Sequence, residues 1–137
     1  RGWGPFYAPF RWGRALPEYM AAANDDILNI LLIERPEAIE NIDAIVQVPG
    51  IDLAIIATFD LSSSMGYPME IDHPEVTAAV ARAEERILAA GIPLGGAALT
   101  AERAHALFAR GYRCAVVGFD WMVLQRAIAG VVEGIKR

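Results

Sequence analysis

With 137 residues, 55% of them hydrophobic, the chain is long enough for one domain of ordinary size with a sizeable core. A net charge of −5 without a basic cluster argues against nucleic acid or an anionic membrane as partner, and charges or prolines interrupt every apolar run before the ~20 residues of a membrane span. The one cysteine, Cys114, excludes an internal disulfide framework and fits a reducing, cytoplasmic setting.

The opening stretch, RGWGPFYAPFRWGRALPEYMAAANDD, reads as a lead-in loop followed by a short helix over residues 17–23. It starts on Arg1 with neither an initiator methionine nor a signal peptide, like a connection from something upstream. Its aromatic residues Trp3, Phe6, Tyr7, Phe10 and Trp12 are either core for a missing half or a pocket wall, with packing the preferred reading.

Residues 27–33 (ILNILLI) form a nearly continuous apolar run, the pattern of a strand buried on both faces, and they end on Glu34. Residues 35–47 follow at helical spacing, with Ile39, Ile42 and Ile45–Val46 on one side and Pro36 in the first turn, where proline is tolerated. After a turn at 48–50, residues 53–57 (LAIIA) are a second buried strand, and Asp60 lies just beyond it. Residues 60–72, with three serines, Gly66 and Pro68, read as a long loop.

A helix over 73–90 stops at Gly91, and residues 93–98 (PLGGAA) make a short strand weakened by its glycines. Thr100 caps a helix through residue 110, ended by Gly111. Residues 114–118 (CAVVG) are the fourth strand, and 120–136 the closing amphipathic helix. The result is α/β: four βα units with parallel strands. Two architectures compete, an open doubly wound sheet and a section of a (β/α)8 barrel, whose full length is about 250 residues.

In both, residues at the carboxyl ends of strands face the active-site crevice. Glu34 and Asp60 hold that position on consecutive strands, which lie ~4.8 Å apart. Either they begin helices and turns, or they reach one hard cation together, as Mg²⁺, Mn²⁺ or Co²⁺ sites do with carboxylates, water and a chelating substrate. His73 precedes proline and reads as a cap, His105 as a solvated helix residue, Asp120 as a cap of the last helix, and Cys114 as a buried strand thiol. The glycines of PLGGAA match no phosphate-binding fingerprint and suit close approach of backbone or ligand. No Ser-His-Asp, Cys-His or zinc-type spacing supports nucleophilic catalysis.

The segments RGWG, ANDD…LLIERPEAIENIDAIVQVPGID, FDLSSSMGYP, DHPEV and VVGFD, in order and spacing, resemble the HpcH/HpaI family of class II, metal-dependent pyruvate aldolases over the whole chain. The resemblance implies the C-terminal half of a (β/α)8 (TIM-type) barrel, residues 1–137 forming one half-barrel domain. It implies a divalent metal on Glu34 and Asp60, main-chain amides of Phe59 and Asp60 on the 2-oxo acid carboxylate, and Trp3 at the substrate pocket. The reaction implied is reversible aldol cleavage of a 4-hydroxy-2-oxo acid to pyruvate and an aldehyde.

The chain departs from the family pattern at Leu32, where glutamine is usual, and at Ala57-Thr58-Phe59, where Gly-Pro-x is usual. The family's general-base histidine and enolate-stabilising arginine precede the RG-x-G loop, so the resemblance places no catalytic base in this chain. A half barrel predicts two open sheet edges and an uncovered face, hence pairing with an N-terminal half or self-association as a homo-oligomer. The alternatives are a non-catalytic half-barrel assembly module and a related lyase acting on a CoA thioester. The second would need a basic patch, which the sequence lacks.

Overall fold

A computed structural model of the chain describes residues 7–135. Four strands, β1 (Ile30–Ile33), β2 (Leu53–Ile56), β3 (Leu94–Ala97) and β4 (Cys114–Val116), form one sheet in the order β1-β2-β3-β4. All three pairings are parallel, with Ile33 opposite Ile56, Ile56 opposite Gly96, and Gly96 opposite Ala115. The sheet adds its strands in chain order with a helix after each, whereas a doubly wound sheet reverses direction part-way. The winding is that of a barrel segment.

The helices are α1 (Ala8–Trp12), α2 (Leu16–Ala22), α3 (Pro36–Glu40), α4 (Ile42–Ile45), α5 (Thr58–Ser64), α6 (Pro74–Ala89), α7 (Ala101–Ala109) and α8 (Asp120–Ile135). Three expectations need correction. The single helix over 35–47 is two, because Asn41 leaves the helical region (φ −94°, ψ 11°) and its side-chain amide donates to the Glu37 carbonyl at 2.8 Å. The loop over 60–72 begins as helix α5: Leu61 is buried, and the hydroxyls of Ser62 and Ser63 turn back onto the Phe59 carbonyl. The lead-in segment contains the one-turn helix α1 before α2.

The first strand is also shorter than its apolar run. Its start is set by Asn29, whose N–H donates to the Asp52 carboxylate (2.8 Å) and whose amide donates to the Gly50 carbonyl (2.8 Å). These bonds align the feet of β1 and β2.

Successive strand residues face opposite sides. On one side Ile33, Ala54, Ile56 and Leu94 are buried together with Ile39, Ile42 and Leu61 of α3, α4 and α5. Helix α6 adds Val76, Val80, Ala83 and Ile87, spaced for a single buried stripe. The opposite side is open. Ile30 and Leu32 of β1 are 47% and 50% exposed, and Val116 of β4 is exposed too. Burial of β1 on both faces is therefore not met within this chain. Gly95 lies on that side between Ile55 and Cys114, where a Cβ would come within 2.8 Å of Ile55 Cγ1. The glycine is there for close packing of neighbouring strands.

Candidate active site at the carboxyl ends of the strands

The top of the sheet is built by the last ladder bond of β1 and β2. The Ala57 N–H donates to the Ile33 carbonyl at 2.9 Å, and each chain then leaves the ladder. Because Ile33 is buried against the helices, Glu34, the next residue, belongs to the opposite face with Leu32, and it is half-buried. The chain then runs extended through Arg35 into α3.

Asp60 is exposed in the first turn of α5, which starts directly after Ala57. A carboxylate there is favoured by the helix dipole whether or not it binds anything. The first closing bond of α5 runs from the Leu61 N–H to the Ala57 carbonyl (2.9 Å), and no side chain caps this end. The N–H groups of Thr58, Phe59 and Asp60 consequently have no acceptor inside the helix. One hydrogen bond joins the two strand exits: the Ser64 hydroxyl donates to the Glu34 carbonyl at 3.2 Å, across 30 residues of sequence.

Glu34 thus directly follows β1, and Asp60 stands in the first turn of the helix that follows the adjacent strand β2. Among the described residues no group of three or more His, Cys, Asp and Glu side chains is arranged to hold a metal. A pair of carboxylates is still a fitting protein share for a hard divalent cation, which keeps water and substrate oxygens as its other ligands. Leu32, on the same face as Glu34, brings no polar atom to this region.

The other singled-out residues lie apart from this pair. His73 caps α6 as expected, its Nδ1 accepting the Glu75 N–H at 3.3 Å, and its ring stacks on Tyr67 with centroids 3.7 Å apart. His105 is exposed on α7. Asp120 starts α8 and accepts the Trp121 N–H at 2.7 Å. Cys114 is half-buried rather than buried, because it lies opposite Gly95 on the open side of the sheet, on the edge strand. Trp3 and Phe6 lie outside the described residues, whereas Tyr7, Phe10 and Trp12 are exposed and pack into no core here.

Sequence reasoning missed the Ser64 bond. Its signal was the four-residue spacing from Asp60 to Ser64, which puts both on one side of a helix once DLSSS is read as helical. It also missed a cluster at the other end of the sheet, where Glu84 of α6 accepts from the Tyr112 hydroxyl and pairs with Arg110.

Residues 8–127 match the HpcH/HpaI aldolase/citrate lyase family. The chain belongs to this family. Over 118 residues it is 40% identical to the 2-keto-3-deoxy-L-rhamnonate aldolase of Klebsiella pneumoniae subsp. pneumoniae, a match covering 86% of this chain and 44% of that protein. The chain therefore spans somewhat less than half the length of the curated relatives it matches.

Among solved structures it resembles an HpcH/HpaI aldolase/citrate lyase family protein from Burkholderia cenocepacia J2315 (TM-score 0.79, 28% identity, 88% of this chain and 47% of that one). A second is the HpcH/HpaI aldolase of Desulfitobacterium hafniense DCB-2 (TM-score 0.77, 28% identity, 90% and 48%). The four βα units account for about half of each HpcH/HpaI chain, as a half barrel must.

Proposed function

We propose that this HpcH/HpaI chain is the C-terminal half of a (β/α)8 barrel and supplies the metal-binding half of a class II pyruvate aldolase site. The reading rests on one observation above others: Glu34 directly follows β1 and Asp60 stands in the first turn of the helix after its parallel neighbour β2, in a chain 40% identical over 118 residues to an aldolase. The substrate class is a 4-hydroxy-2-oxo acid, cleaved reversibly to pyruvate and an aldehyde. The name of the Klebsiella relative favours a 2-keto-3-deoxy sugar acid within that class.

In this account Glu34 and Asp60 hold a divalent cation of the Mg²⁺, Mn²⁺ or Co²⁺ type. Bound there, the cation supplies Lewis-acid stabilisation of the negative charge that develops on the 2-oxo group. The free N–H groups of Phe59 and Asp60 at the start of α5 bind the substrate carboxylate, aided by the positive end of the helix. Leu32 contributes an apolar wall beside Glu34, and Trp3 limits the aldehyde side.

The base that takes the hydroxyl proton and the cation that steadies the enolate come from the other half of the barrel. Of the two histidines here, His73 spends Nδ1 on a helix cap and His105 stands exposed on α7. A missing general base typically costs 10²–10⁴-fold, roughly the factor for a missing oxyanion donor as well. Hence the chain by itself should give no appreciable pyruvate from 4-hydroxy-2-oxo acids with Mn²⁺, and the barrel completed by an N-terminal half should give it readily. Robust turnover by the chain with no partner would place the base among these residues and refute the division of labour.

A further inference from the structure

We infer that Ser64 is a positioning residue for Glu34: its hydroxyl extends the β1–β2 pairing by one bond and fixes the Glu34 main chain to the helix that carries Asp60. The inference rests on the reading of Glu34 and Asp60 as ligands of one cation, and concerns how their separation is set.

The β1–β2 ladder closes at Ala57 N–H to Ile33 carbonyl, 2.9 Å. The next carbonyl, Glu34, has moved past the end of β2, because the partner chain has already coiled into α5. Ser64 takes that carbonyl from the last turn of α5 at 3.2 Å. Ser62 and Ser63 are spent differently, both donating to the Phe59 carbonyl within their own helix at 2.9 and 3.0 Å. Only the third serine of the run reaches out of α5. It is four residues from Asp60, so the carboxylate and the hydroxyl share one side of α5.

Ser64 thus ties Glu34 to Asp60 through one helical turn of α5. Without the bond, Glu34 precedes an extended Arg35 (φ −133°, ψ 148°) that starts α3 with no side-chain cap, and little else restrains its carbonyl. A metal held by only two protein carboxylates is sensitive to their spacing, since partners that orient ligands are typically worth 10–100-fold in affinity.

The test is Mn²⁺ titration calorimetry on the completed barrel, with the melting temperature of each variant measured in EDTA. Ser64→Ala should bind Mn²⁺ about 10-fold more weakly, the lower limit for such partners, while its metal-free melting temperature stays at the parent value. Ser64→Thr, which keeps the hydroxyl, should restore most of the affinity. Ser63→Ala, which removes a hydroxyl bonded only within α5, should bind as the parent does. If Ser64→Ala binds Mn²⁺ as tightly as the parent, or if its only effect is a lower metal-free melting temperature, Ser64 does not position the ligand. Failure of the parent itself to bind Mn²⁺ would instead remove the ligand reading of Glu34 and Asp60, and this inference with it.

Discussion

Tyr112 is 4% exposed, and its hydroxyl donates to Glu84, which also receives the Arg110 guanidinium. Burial first, then the hydrogen bond and the charge of Glu84, push the Tyr112 pKa well above its ordinary value of 10.0. A pKa raised by folding stabilises the protein only while the proton stays in place. The contribution is full below about pH 10 and is lost as the pH rises toward the folded value. Denaturant unfolding should therefore show stability falling above about pH 10 more steeply in the parent than in Tyr112→Phe. At neutral pH the same substitution should cost about 1 kcal/mol, because the part-buried Glu84 loses a donor. Parallel stability curves through this range would show that the hydroxyl is not held as described. Nothing in the pattern RGYRCAVVG announces this cluster, since it depends on α6 and the start of β4 meeting in space. The positions of Glu34 and Asp60 were easier to single out for the opposite reason: each closes its own apolar run in the sequence.

At the scale of elements, the strands were readable because a parallel strand covered by helices must be apolar, and the helices because their buried faces recur every three or four residues. Boundaries failed where a side chain takes over a backbone bond. Asn29 delays β1 by bonding to Gly50, and Asn41 divides α3 from α4 by bonding to Glu37. The three serines after Asp60 suggested a turn, yet buried Leu61 and serine hydroxyls folded onto Phe59 make α5. The miss mattered for the site, because it hid the side that Asp60 and Ser64 share. The glycines of β3 carry a sharper expectation. A methyl group on Gly95 would sit 2.8 Å from Ile55 Cγ1 and 3.4 Å from Cys114 Cβ, so the Ile55 side chain or its strand would have to shift. Gly95→Ala should destabilise by about 1–3 kcal/mol, the usual cost of overpacking, read as a lower midpoint in thermal unfolding. An unchanged midpoint would mean that the Ile55 side chain does not press on this glycine as described.

For the whole molecule, the two sides of the sheet tell different stories. The helix side is closed by Ile33, Ile56, Leu94 and the α6 stripe, while Ile30, Leu32 and Val116 leave the other side open. Helix α8 has no buried residue, and its Leu124, Ile128 and Ile135 are exposed. Apolar surface of this extent calls for a cover, which in the proposed account the other half of an HpcH/HpaI barrel would provide on the open side. In the proposed account that cover would also exclude water around Glu34 and Asp60, which would strengthen their attraction for a cation. The most direct measurement of the central claim is Mn²⁺ binding to the completed barrel, read by calorimetry and by the rise in melting temperature. One Mn²⁺ per chain should bind and stabilise the fold by mass action, about 2.7 kcal/mol at a hundredfold excess over Kd. Glu34→Gln and Asp60→Asn should each remove most of that binding and of the melting shift, while their metal-free melting stays near the parent's. Identical melts in EDTA and Mn²⁺, or full Mn²⁺ binding by both variants, would contradict the account and leave the two carboxylates as ordinary residues at the starts of helices.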